Sequence, residues 1–280
     1  MGTNSIRTNL SKEDIISEIK LSLGEDFKRE KTYLLVEGQD DWKFLKGIVD
    51  SKVIIFESFS GKQGIQEIIE AHFKQIPNVI GIRDRDYLTK ELDKNIFFYD
   101  YSCMEMMFIK NDVVFESIFQ EYCSEQIMPL IIREKLLNEL RFIGLLRKYN
   151  EVNNWNIRFK GLSIAKAYDN INKAIDINNI IEQINGCNNN FLNANIDKLV
   201  EILEEAKKIS GLEEVLLITQ GHDFSALFAA YCKKESGPAI GAAQIEQSLR
   251  CSFRESDFRK TDLYNALLDY QGEYRLSIVS

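Results

Sequence analysis

Three carboxylates stand where short apolar runs end. Glu37 follows Val36 in the stretch Val36-Glu-Gly-Gln-Asp-Asp41, and Asp84 and Asp86 follow Ile82 in Arg83-Asp-Arg-Asp86. In an open parallel sheet, residues just past the carboxyl ends of strands converge on one edge, where ligands bind. Acids from two separate strands are therefore expected to meet there. Two carboxylates about 4 Å apart repel by roughly 4 kcal/mol at an effective dielectric of about 20, and each raises the proton affinity of the other. A divalent cation relieves this, and magnesium takes one or two protein carboxylates with water and phosphate oxygens. An ion so held polarises a phosphodiester, activates water and steadies the leaving oxygen. A plainer reading also fits. Asp40 or Asp41 then caps the helix that begins at Trp42, and Arg83 and Arg85 neutralise Asp84 and Asp86 as ion pairs. Spacing alone leaves the two level.

The remaining chemistry-bearing residues narrow the options. Cys103, Cys123, Cys187, Cys232 and Cys251 are scattered, and His72 and His222 complete the soft-ligand set. Structural zinc needs such ligands clustered, so a metal here takes oxygen ligands and is magnesium or manganese. Ser58-Phe-Ser-Gly-Lys-Gln-Gly64 offers Lys62 at a helix start, suited to a substrate phosphate. It lacks the Walker A spacing, so ATP hydrolysis is not expected. His222 beside Asp223 reads as a surface residue next to an N-cap, or as a group near a scissile phosphate if a strand from Val215 joins the same sheet.

Basic residues concentrate between Arg133 and Lys173. Nine cations, Arg141, Arg147, Lys148, Arg158 and Lys160 among them, face four acids for a local balance of +5, with Tyr149, Trp155, Phe159 and Tyr168 interleaved. Cations suit phosphates and rings suit unstacked bases. A solvated helical face over a private core is the competing reading. The whole chain carries a formal charge of −8. That argues against non-specific coating of nucleic acid but leaves a nuclease with local basic residues open.

The elements that must position these groups follow from periodicity. Ser11 with Asp14 reads as a helix N-cap. Thr32–Val36, Val53–Phe56, Val79–Ile82 and Ile96–Tyr99 are short apolar runs separated by helical patterns, which predicts βαβ units and a parallel sheet. From about residue 112 long helical patterns take over, the clearest from Leu130 to Tyr149, and Asn dominates from 150 to 195. A strand is expected over Glu214–Ile218, then a helix opened by Gly221-His-Asp223 and two more near 244–251 and 261–270. The expected organisation is an N-terminal helix (1–29), an α/β core (30–111), a helical insertion (112–210) and a C-terminal segment (211–280) whose strand and helices return to the core.

Leu35-Val-Glu-Gly38 with Asp41, then a strand ending in Asp84-x-Asp86, resembles the topoisomerase–primase (TOPRIM) signature over roughly residues 31–110. Tyr101-Ser-Cys-Met-Glu105, Gly221-His-Asp223 and Phe258-Arg-Lys-Thr-Asp-Leu263 resemble short features of the nuclease component of the PARIS anti-phage defence system. OLD-type TOPRIM nucleases are similar in the same core. The resemblance implies a mainly parallel TOPRIM-like sheet flanked by helices. It implies a nuclease acting on DNA, or on RNA such as tRNA, with Glu37 as catalytic acid/base and metal ligand. Asp84 and Asp86 would hold magnesium or manganese, with Asp41 and Glu105 as further ligands or outer-shell groups. It also implies control by an ABC-class ATPase partner, and a homodimer is compatible with it. A receiver-like phospho-acceptor domain is the alternative, in which Asp84 would take a phosphoryl group; the Lys-Pro expected after a late strand is missing. A non-catalytic TOPRIM binding module is the third reading.

With 280 residues and 45% hydrophobic content, the chain can bury one large core or two small ones. No apolar run approaches the ~20 residues that span a bilayer. Met1 to Asn9 lacks an apolar signal core, so no membrane association and a cytoplasmic location are expected.

Overall fold

A computed structural model describes residues 11–88, 92–233 and 240–280. The chain forms two compact units, one from residues 1–100 with 254–280, the other from residues 101–253. Among the described residues no helix is long and apolar enough to cross a membrane.

The first unit is α/β. Helix α1 (Lys12–Glu25) is closed by a capping box: Asp14 N–H donates to the Ser11 hydroxyl and Ser11 N–H to the Asp14 carboxylate. Strands β1 (Thr32–Val36), β2 (Val53–Glu57), β3 (Val79–Arg83) and β4 (Ile96–Phe98) form one parallel sheet in the order β2-β1-β3-β4. Every residue of β1 and β3 is buried, as their unbroken apolar runs require. Helix α2 (Gln39–Leu45) connects β1 to β2, and α3 (Gly61–Ile68), extended by a π-helical turn over Ile69–Phe73, connects β2 to β3. The chain steps from β1 outward to β2 and then back across to β3. The order therefore reverses between β1 and β3, which is where open α/β sheets place their ligands.

Alternation along β1 assigns the faces. Tyr33 and Leu35 pack with Ile15, Ile19, Ile65 and Ile69 from α1 and the α3 segment. Each such burial contributes about 1.5–3 kcal/mol relative to exposure. Gly81 lets that layer approach β3, since a Cβ there would stand 2.5 Å from Ile65 Cγ2. Phe44 meets Tyr99 and Phe258. The C-terminal helix Asp262–Tyr274 sets Tyr270 edge-on to Phe97 at 5.2 Å. The Asp100 carboxylate accepts the backbone N–H groups of Asp262 and Leu263 at 3.0 and 2.9 Å, tying that helix to the end of β4.

The second unit is mainly helical: α4 (Met104–Lys110), α5 (Asp112–Tyr122), α6 (Pro129–Glu139), α7 (Arg141–Asn153), α8 (Ile177–Cys187), α9 (Ile196–Lys208), α10 (Gly221–Tyr231) and α11 (Ala242–Ser252), with a two-stranded hairpin of Tyr168–Asp169 and Ala174–Ile175. Two sequence expectations change here. The strand expected over Glu214–Ile218 is a helix, Leu212–Leu216. A five-residue apolar run does not distinguish the two, and Glu214 closes a helical cap by accepting the Gly211 N–H. The single helix expected from Leu130 to Tyr149 is two, interrupted at Leu140. Asparagines of the Asn-rich stretch close its turns. Asn150 Oδ1 accepts Ile157 N–H, Asn188 Oδ1 accepts Arg158 N–H, and Asn185 Oδ1 accepts Leu192 N–H.

Candidate active site

Glu37 leaves the carboxyl end of β1 and its half-buried side chain turns towards β3. Its Oε1 accepts the backbone N–H of Asp84 at 2.8 Å. Gly61 backs this carboxylate: its φ of +56° suits glycine, and a Cβ there would lie 3.7 Å from Glu37 Oε2. Burial raises the proton affinity of Glu37; the Asp84 N–H opposes it, the charge of Asp86 adds to it, and the Arg83 and Lys62 charges oppose it.

Asp86 adopts a left-handed conformation, φ +47°, which aspartate tolerates better than most residues. Its buried carboxylate receives the Lys62 ammonium at 2.7 Å. Lys62 sits on the first turn of α3, and its carbonyl accepts Arg83 Nη1 at 3.4 Å. Arg83 also donates from Nε to the Asp84 carbonyl, while the Arg85 guanidinium lies 5.2 Å from the centre of the Phe98 ring.

Asp41 works within the fold. Its Oδ2 accepts the Gly38 N–H at 3.1 Å and its Oδ1 accepts the Tyr99 hydroxyl at 2.8 Å. Both residues are buried, and burial first, then the neighbouring Asp41 charge, holds the Tyr99 proton in place. Tyr99 thus fixes the loop that carries Glu37. A tyrosine ending a short strand gave no sequence signal for this role. Asp40 pairs with Lys43 on the surface.

The other sequence-predicted residues belong to the second unit. Glu105, in the first turn of α4, lies against Gly221, where a Cβ would come within 2.4 Å of its Oε2. His222 is exposed and its Nδ1 is 2.7 Å from Oε1 of the buried Glu246. That contact raises its pKa to about 9. Asp223 is not the N-cap expected, since Gln220 holds that position. Asp223 instead receives Arg147 through Nε at 2.8 Å and Nη2 at 3.0 Å. The Arg147 guanidinium also stacks 4.4 Å over Phe159. Arg141 donates to the carbonyls of Asn138 and Ile209. Trp155 packs between Tyr149 and Phe191, and Tyr168 is buried. Much of the basic and aromatic segment therefore holds its own unit together; Arg158 and Lys160 are exposed and Lys148 is partly so.

Fit to a divalent cation rests on donor chemistry and on what already neutralises the acids. The strand-end donors are hard carboxylate oxygens, and the chain already brings a cation, the Lys62 ammonium, to Asp86. Among the described residues no group of three or more His, Cys, Asp or Glu side chains gathers as an ion-holding set. Two carboxylates completed by water and phosphate oxygens are what magnesium takes from a protein. Glu37 and Asp86 are two such carboxylates at neighbouring strand ends, the first engaged by the Asp84 N–H and the second by Lys62.

No protein-family model matches the chain, and comparison with curated proteins gives no significant match.

Proposed function

We propose that the chain is a magnesium- or manganese-dependent nuclease of TOPRIM type, the effector of an anti-phage defence system held in check by an ABC-class ATPase partner. The observation that supports this most is the Glu37–Asp84 hydrogen bond, which joins the ends of β1 and β3 at the reversal of strand order. Glu37 and Asp86 are the residues proposed to hold the ion. When bound, the ion supplies charge to the scissile phosphate and acidity to water. Glu37, whose proton affinity burial raises, is the proposed acid/base. The Asp84 N–H orients that carboxylate, and Tyr99 with Asp41 holds its loop. Lys62, paired with Asp86, is the proposed contact to a substrate phosphate. Arg158, Lys160 and Lys148 remain the proposed contacts to the rest of a nucleic acid, and a homodimer would bring two such sites together.

The test is cleavage of tRNA, single-stranded DNA and duplex DNA by the purified chain with magnesium or manganese. Wild-type cleavage that Glu37→Ala abolishes is the expected result. Full cleavage by Glu37→Ala, or none by the wild type on any substrate, ends the proposal.

One observation favours the receiver-like alternative. The order β2-β1-β3-β4 is also that of phospho-acceptor domains. Against it, Asp41, which with Asp40 would form a receiver's acidic pair after the first strand, is engaged by Tyr99 and Gly38. Incubation with acetyl phosphate should leave the protein mass unchanged; a phosphoryl adduct on Asp84 would favour the receiver.

A further inference from the structure

We infer that Lys62 is the resident counter-ion of the strand-end cluster and that a divalent cation must displace it to bind. The inference rests on the metal reading proposed above and adds a residue that competes with the ion.

Three observations carry it. First, the Lys62 ammonium lies 2.7 Å from Asp86 Oδ2, and the Asp86 side chain is only 9% exposed. That carboxylate has little contact with water, so its charge needs a protein partner or an ion. Second, Lys62 is anchored at its backbone and partly open to solvent along its side chain. Its carbonyl accepts Arg83 Nη1, whereas its side chain is 31% exposed. A flexible four-carbon stem can therefore swing outward while the helix start stays in place. Third, Lys62 follows Gly61, where a Cβ would lie 3.7 Å from Glu37 Oε2, so the start of α3 borders both carboxylates proposed to hold the ion.

Two cations cannot share this edge cheaply. A divalent ion on Asp86 would stand within a few ångströms of the ammonium, where like charges repel strongly. Binding thus requires the Lys62–Asp86 contact to break. The freed ammonium is left at the rim of the site, where an incoming phosphate is its natural partner. Without the metal, the same contact keeps Asp86 compensated and the loop after β3 in place.

Manganese binding, followed by electron paramagnetic resonance on the full chain, tests this without any cleavage assay. Lys62→Met is expected to bind Mn²⁺ about tenfold more tightly than wild type, the scale of one charge-assisted hydrogen bond. Lys62→Gln gives the same direction should the Met variant fold poorly, and Lys62→Arg is expected to bind no more tightly than wild type. In thermal unfolding, Lys62→Met should melt lower than wild type in EDTA and gain more from added Mn²⁺. Wild-type binding that Lys62→Met and Lys62→Gln leave equal or weaker overturns the inference alone. Absence of Mn²⁺ binding in wild type and variants alike overturns both it and the metal reading.

Discussion

Glu37 Oε1 accepts the backbone N–H of Asp84 at 2.8 Å across 47 positions of sequence. The contact stitches the ends of two central parallel strands and aims a half-buried carboxylate along the sheet edge. Burial raises the proton affinity of a glutamate held there, and the Asp84 N–H orders it in both protonation states. Stability and reactivity at this edge are therefore linked.

Glu37→Gln should stabilise the protein at pH 7.5 in EDTA. The Glu37 pKa lies above its ordinary 4.5 chiefly because of burial. Its ionised form consequently costs stability once the pH exceeds the raised value, and that cost disappears as the pH falls to 4.5 and below. Glutamine keeps the acceptor for Asp84 N–H and removes the charge. A melting temperature a few degrees higher at pH 7.5 is expected, with the gap closing towards pH 4. A lower melting temperature for the variant at pH 7.5 would contradict the argument.

Tyr99→Phe should lose about 1.5–3 kcal/mol, the worth of a hydrogen bond to a charged group. The Tyr99 ring is fully buried and Asp41 is 9% exposed, so water cannot easily replace the lost donor. Urea unfolding measures the loss as a lower midpoint at unchanged slope. An unaltered midpoint would mean that Asp41 does not depend on Tyr99.

Arg147 and its basic neighbours should separate cleanly. Arg147→Ala strands the Asp223 carboxylate, whose side chain is 11% exposed, and is expected to cost about 3 kcal/mol. Arg158→Ala and Lys160→Ala should leave the melting temperature unchanged. If these exposed cations meet phosphates, each reduces the salt slope of nucleic-acid binding by about 1, which fluorescence anisotropy across a salt series reads directly.

His222 should give stability a pH dependence above neutrality. Its hydrogen bond to Glu246 raises its pKa from 6.5 to about 9. The contribution is complete below pH 6.5 and is lost as the pH rises through about 9. The ring is exposed, so the effect is modest. Melting temperatures between pH 6 and 10 should fall for wild type and fall less for His222→Gln; parallel curves would argue against the pair.

Much of the first unit follows from local patterns. The runs Thr32–Val36 and Val79–Ile82 could only be buried strands once helical stretches separated them, and Ser11 with Asp14 marked a helix start. Asn dominates from 150 to 195, and asparagine side chains close turns there between helices such as Ile177–Cys187. Glu214–Ile218 misled because five apolar-rich residues carry no period, and a cap from Glu214 decides for helix.

Chain order alone dictates which residue types stand at the ends of β1 and β3, since apolar runs and the breaks after them are local properties. It does not dictate partners. That Asp86 meets Lys62 rather than Arg85, that Asp41 meets Tyr99, and that Asp223 meets Arg147 depends on contacts spanning 24, 58 and 76 positions. Such pairings arise only when strands stack in a given order and helices pack against them, because a buried charge takes whichever partner the finished packing leaves within reach.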